Sequence, residues 1–188
     1  AILPFKITDK EGMSEFKKWV AGLWFAPSKL KKMTNFKKME GVYIPFWTYD
    51  SNTHTYYTGQ RGDDYQTTES YTDSDGNHRT RTVTKTRWTS VSGDVSNTFD
   101  DILVIASDSL PNKKVEKLEP WDLENIVPFS DSYLSGFRTE IYHVSLKDGF
   151  GTAQKKMEPT IDSTVRSNIG GDHQRISSKD INYYDVTF

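Results

Sequence analysis

The tract Asp73-Ser74-Asp75-Gly76-Asn77 constrains the fold of this chain more than any other feature. It separates two stretches, 65–72 and 78–88, that are rich in Thr, Tyr and Val, the residue types whose side chains suit a half-buried pleated surface. A turn-forming cluster between two such stretches predicts a β-hairpin. A three-residue loop of Ser74, Asp75 and a left-handed Gly76 pairs Asp73 with Asn77. That register sets Glu69 opposite Arg81, Thr67 opposite Val83, and Asp63 near Arg87. Along the second strand Arg79, Arg81, Val83, Lys85 and Arg87 share one face, and Thr80, Thr82, Thr84, Thr86 and Trp88 share the other. Thirteen of the twenty Thr lie between Thr48 and Thr98, so strand character extends through the whole middle of the chain. Within it, 42–49 is aromatic and apolar and predicts a central strand despite Pro45.

The two flanks read differently. Thr8 and Glu11 fit a capping box, and Met13, Phe16, Val20 and Leu23 recur on one helical face. Ala26-Pro27-Ser28 breaks this helix and starts a short second one through Met33. Lys29, Lys31, Lys32, Lys37 and Lys38 fit either a phosphate-binding patch or a solvated helix face, with Leu30, Met33, Phe36 and Met39 turned to the core. Towards the C-terminus, 101–106 (DILVIA) reads as a buried strand, 112–118 as a short helix and 137–144 as another strand. Ser145 precedes a long helix with Leu146, Phe150, Met157, Ile161, Val165 and Ile169 on one face. Pro159 removes one of its hydrogen bonds and is expected to kink it, and Gly170-Gly171 end it. The chain finishes in strand character at 183–188.

The expected fold is therefore α+β: a mainly antiparallel twisted sheet with a long β-hairpin, flanked by an N-terminal helix and a long C-terminal helix. One domain over residues 1–188 suffices for this length. Aromatic residues make up 13% of the chain, which supplies core area that the modest 35% apolar share does not. A net charge of −2 excludes a strongly basic, histone-like binder. That mild total hides a gradient, because residues 1–41 hold nine Lys against four acids, and residues 99–188 hold ten basic against fifteen acidic groups. There is no Cys, hence no disulfide and no Cys-ligated zinc. No apolar run reaches the length of a membrane span and residues 1–10 lack a signal-peptide pattern, so the cytoplasm is the expected compartment.

Motifs for chemistry are mostly missing. No phosphate-binding loop, H-E-x-x-H or G-x-S-x-G occurs, so the chain is expected neither to bind nor to hydrolyse ATP. Gly149-Phe150-Gly151 falls inside a helix start rather than at a dinucleotide turn. The 73–77 loop resembles the beginning of a calcium loop, but its twelfth position is Thr84 where a bidentate Glu is needed. His54, His78, His143 and His173 are too scattered to show ligand spacing. Asp63-Asp64 and Asp100-Asp101 could serve as acid and base only if a cleft collected them. The residues that point to a partner are the cations Arg79, Arg81, Lys85 and Arg87, with Lys31 and Lys32. These could follow a phosphate backbone or meet an acidic protein. The alternative for the ladder is neutralisation by Glu69 and the Asp63-Asp64 pair. No catalytic, cofactor-binding or metal residue is expected. An enzyme with a site in the strand-rich middle is the competing reading to a binding or scaffold module.

Five blocks carry a resemblance: residues 41–50 (GVYIPFWTYD), 57–62 (YTGQRG), 86–93 (TRWTSVSG), 118–123 (LEPWDL) and 168–176 (NIGGDHQRI). They resemble the central region of bacterial zinc-ribbon-containing proteins, which often carry the label "primosomal protein N′, superfamily II helicase". The resemblance covers nearly the whole chain. It implies Cys-x-x-Cys zinc ribbons upstream and further strand sequence downstream, so this chain is expected to be part of a longer protein. Any zinc would sit in those ribbons. The label's motor function is not expected, since no helicase motif occurs. A segment that ends in a strand is also expected to lie at a sheet edge, where a second copy could pair with it.

Overall fold

The computed structural model describes residues 1–35, 39–109 and 112–188, and the fold is α+β. Phe36, Lys37 and Lys38 lie outside the described residues. The chain forms two compact units: one comprises Ala1–Phe46 with Ile105–Ser145, the other Trp47–Val104 with Leu146–Phe188.

In the first unit, helix α1 (Asp9–Gly22) begins with the expected capping box. The Glu11 amide donates to Thr8 Oγ1 at 3.3 Å and the Thr8 amide to Glu11 Oε2 at 2.8 Å. That second bond holds the Glu11 carboxyl below its ordinary pKa. Thr8→Ala should cost about 1 kcal/mol of helix stability, read from the thermal melt. Helix α2 (Ser28–Met33) follows the Ala26-Pro27 break. Strand β1 (Val42–Tyr43) is short because Pro45 has no amide to give a ladder, and the Pro45 carbonyl instead accepts from Ala106. The expected central strand over 42–49 is thus divided at Pro45. Helix α3 (Asn112–Val115) runs into a 3₁₀ turn at Glu116–Leu118. The expected strand over 137–144 contracts to β4 (Arg138–Thr139), which pairs in parallel with β1. The amides of His143 and Val144 beyond it both go to the Ala106 carbonyl. Phe5, Tyr43 and Phe137 stack over Gly41, where a Cβ would collide with two of the rings.

The second unit holds most of the apolar core. Strands β2 (Phe46–Thr72) and β3 (His78–Ile105) form a single hairpin, and β5 (His173–Thr187) pairs antiparallel with β2, giving the order β3-β2-β5. Helix α4 (Leu146–Ile169) runs continuously through Pro159 and covers one face of the sheet. Ala153, Met157, Ile161, Val165 and Ile169 recur every four residues and are all buried. They meet Tyr49, Tyr57, Val95 and Phe99, alternate residues of the paired strands. The expected separate strand over 101–106 is the end of β3, which passes through Asp101 in a left-handed conformation (φ 54°).

Strand β5 lies at the sheet edge. Its pairing with β2 shifts register twice, and Lys179 on it points inward, paired with Glu158 and Asp162 of α4. Burial works to lower the Lys179 pKa, and the two carboxylates more than offset that, leaving it raised. Register breaks and inward charges are features that oppose pairing of an edge with another chain.

Candidate functional site

The hairpin turn forms as its residues dictate. The Asp73 amide donates to Asn77 O at 3.0 Å, and Gly76 takes φ 83°. The same register persists to the far end of the hairpin. Thr86 bonds Asp64, Ser96 bonds His54 and Thr98 bonds Asn52, each directly across. Because β5 reaches only from Asp50 to Gly62 of β2, the distal residues 63–72 and 78–87 form a two-stranded ribbon without a third strand. Ten residues at ~3.4 Å each make it roughly 30 Å long.

The base of this ribbon is fixed by polar contacts. Asp64 accepts from Thr86 Oγ1 at 2.6 Å and lies 3.1 Å from His173 Nε2, while its amide donates to Asp172. The Arg175 guanidinium sits 3.8 Å over the Trp88 ring. Gly62 is required here, since a Cβ would press on Thr86 and Trp88.

All four ladder cations lie on one ribbon face, as expected, and each has a partner. Arg79 bonds Asp73 at 2.6 Å, Lys85 bonds Glu69 at 2.7 Å, and Arg81 is 3.6 Å from the same Glu69. Arg81 and Arg87 also stack over Tyr71 and Tyr65. The ladder is partly neutralised: Asp73 and Glu69 face three of the four cations, Arg87 lies on the Tyr65 ring, and of the Asp63-Asp64 pair Asp63 binds Arg61. Lys31 and Lys32 are exposed on α2, in the other unit.

The pKa directions follow these contacts. The Lys85 side chain lowers Glu69, the Asn77 amide lowers Asp73, and the Thr86 hydroxyl lowers Asp64. A carboxyl with a depressed folded pKa adds stability above its unfolded pKa and loses it as pH falls through the folded value. Three such groups lie in the ribbon, so acidification below about pH 4 should release it first. Amides of residues 64–86 should then exchange faster than those joining β2 to β5, as hydrogen-exchange NMR would record.

Two constellations missed by sequence reasoning look chemical. His54 Nδ1 lies 3.0 Å from Ser96 Oγ and its Nε2 3.4 Å from Asp94, so register brings a Ser, His and Asp together on the uncovered sheet face. The turn alone could have revealed this pairing, because it fixes 54 opposite 96. The trio lies on a strand surface open to water, with the Asp94 side chain 56% accessible, rather than in a cleft that would exclude solvent from a reacting group. The Thr86-Asp64-His173 cluster places the carboxylate, not the imidazole, against the hydroxyl, and a carboxylate whose pKa is held down by that bond is a weak base for it.

The carboxylates of Asp50, Asp100 and Asp101 also approach one another. Asp50 is already committed: it accepts the Asp101 amide at 2.9 Å and Thr187 Oγ1 at 3.0 Å, bonds that hold its pKa down. That arrangement ties the left-handed residue of β3 to the end of β5. A groove of ≈ 610 Å³ beside the C-terminal half of α4, lined by Asp162, Arg166 and Gln174 among others, opens widely to solvent. Among the described residues, none of the carboxyls or tyrosines with a shifted pKa lines it.

No family model matches this chain, and no solved structure matches it. The chain is 26% identical over 170 residues, 90% of its length, to the uncharacterized protein YdjG of Bacillus subtilis. It covers 47% of that protein and so spans about half the length of the relative it matches.

Proposed function

We propose that this chain is a non-catalytic binding module that uses the ribbon 63–87 to contact another protein, within a longer zinc-ribbon-containing protein of the kind its sequence blocks resemble. The observation that carries this reading is the ribbon itself, two strands extending past the third with Arg81 on Tyr71 and Arg87 on Tyr65 at its surface. Tyr and Arg are the residues that protein interfaces favour, because each presents a large, stiff contact area with a polar end. A two-stranded ribbon has little stability of its own, and a partner that covers it adds the missing contacts. The shallow groove and the committed carboxyls supply no comparable support for an enzyme.

Nucleic acid is the second reading, favoured by four cations on one face of a ribbon narrow enough for a major groove. The internal pairing of Arg79, Arg81 and Lys85 with Asp73 and Glu69 weighs against it, since a phosphate contact at any of these three would have to compete with a carboxylate.

A variant in which a two-residue Asn-Gly turn joins Gly62 directly to Trp88 tests the proposal. Its melting temperature should fall by only a few degrees, because α4 and its buried contacts lie against the remaining sheet. Proteins cross-linked to the chain in cells should disappear with the ribbon and with Tyr65→Ala/Arg87→Ala. An unchanged set of cross-linked proteins would refute the ribbon as the contact surface. Salt-sensitive binding to DNA or RNA that drops in Arg79→Ala/Arg81→Ala would establish the second reading instead.

A further inference from the structure

The turn joining α1 to α2 carries the most exposed aromatic side chains of the described residues, Trp24 and Phe25, each 89% accessible. Their rings lie 6.2 Å apart, and Trp19 on the last turns of α1 is itself 56% accessible. Leaving two large rings in water forgoes the stabilisation that burying them would give, so such a pair calls for a cover. The charge around it says which. Residues 16–39 contain seven Lys and no Asp or Glu. Lys17, Lys29, Lys31 and Lys32 are exposed and have no ion pair among the described residues, unlike the paired cations of the ribbon.

We propose that this turn is a peripheral docking site for an anionic lipid surface, with Trp24 and Phe25 entering the headgroup region and Lys29, Lys31 and Lys32 meeting the lipid phosphates. Trp is favoured at that depth because its ring is apolar and its indole N–H stays hydrated. Lysines reach the same plane by extending their stems along the apolar boundary and keeping the ammonium in water. A second copy of the patch is a poor cover, since two lysine-rich surfaces repel one another. Nucleic acid would meet the lysines, but two adjacent rings at a helix turn, beside Leu23, Ala26 and Pro27, suit insertion better than base-by-base stacking. Among the described helices none is long and apolar enough to cross a membrane, so the contact proposed is one that lies on the surface.

The test floats the whole chain with vesicles of phosphatidylcholine and phosphatidylglycerol in equal parts, and separately with phosphatidylcholine alone. Binding is expected to the mixed vesicles only, to weaken with salt, and to shift tryptophan emission to the blue. Trp24→Ser/Phe25→Ser should lower partitioning by about 10- to 100-fold. Lys29→Gln/Lys31→Gln/Lys32→Gln should lower it about 100-fold, at roughly five-fold per lysine. All five positions lie at the surface or in a short turn, and an unchanged melting temperature verifies that the variants fold. The absence of flotation with mixed vesicles overturns the proposal, as does equal binding by either variant. Self-association that vanishes in Trp24→Ser/Phe25→Ser, or oligonucleotide binding lost in the same variant without vesicle binding, would reassign the patch and overturn it equally.

Discussion

Gly59→Ala is expected to detach β5 from β2 at its midpoint and to destabilise the α4-backed sheet by about 3 kcal/mol. A Cβ built on Gly59 overlaps the carbonyl oxygen of Arg175 and lies 3.0 Å from the Ile169 side chain. The first obstacle is backbone, which can yield only by breaking the strand pair that joins Gly59 to Ile176 next to a register shift. Overpacking of this kind costs about 1–3 kcal/mol, and a lost ladder bond adds about 1 more. Urea unfolding gives the total, and amide exchange along β5 gives the location. Gly22→Ala is the control, because nothing lies within 4 Å of its position and Ala is the better helix former. A Gly59→Ala midpoint equal to that of the wild type would show that β5 does not approach β2 so closely.

The second large effect is expected at Ile161. It is fully buried on α4 against the sheet, between Met157 and Val165. Ile161→Ala removes three carbons from a closed core and should cost about 2–5 kcal/mol, depending on how far the cavity collapses. Ile161→Asp adds an unpaired buried charge and should abolish the fold of this unit, visible as loss of near-ultraviolet circular dichroism. An Ala variant that loses less than about 1 kcal/mol would show that α4 does not cover the sheet.

The parts of this fold that could be read in the sequence were those fixed by local chemistry. The Thr8-Glu11 box, the Asp73–Asn77 turn and the four-residue rhythm of α4 each depend on residues close together in the chain. The hairpin's full length was not legible, because Gly59, Gly62, Ser92 and Gly93 read as strand breakers by propensity. Their reason is tertiary: Gly93 admits the Tyr57 hydroxyl, and Gly62 admits Trp88. Likewise 101–106 reads as a new strand because Asp100-Asp101 looks like punctuation, whereas the Asp50 carboxylate holds Asp101 in its left-handed bend and lets β3 continue. At the candidate site the cation ladder and Glu69 were legible from alternation and register. The stacking of Arg81 and Arg87 on Tyr71 and Tyr65 was not, because it is diagonal across the strands rather than directly opposite. The exposure of Trp24 and Phe25 escaped for a different reason, since pattern reasoning assigns aromatic residues beside a helix to the core.

The order in which the second unit is assembled from the chain has a consequence during synthesis. Its hairpin is complete at Ile105, but the helix that covers it does not end until Ile169. At roughly 5–20 residues per second, the ribosome takes several seconds to make the intervening sixty-odd residues. Throughout that interval Tyr49, Tyr57, Val95 and Phe99 present an uncovered apolar face on the nascent chain. Chaperones that hold extended or half-formed sheets have their longest opportunity there. A slow-codon cluster placed between the hairpin and α4 would lengthen that window and lower the soluble yield without altering a single residue.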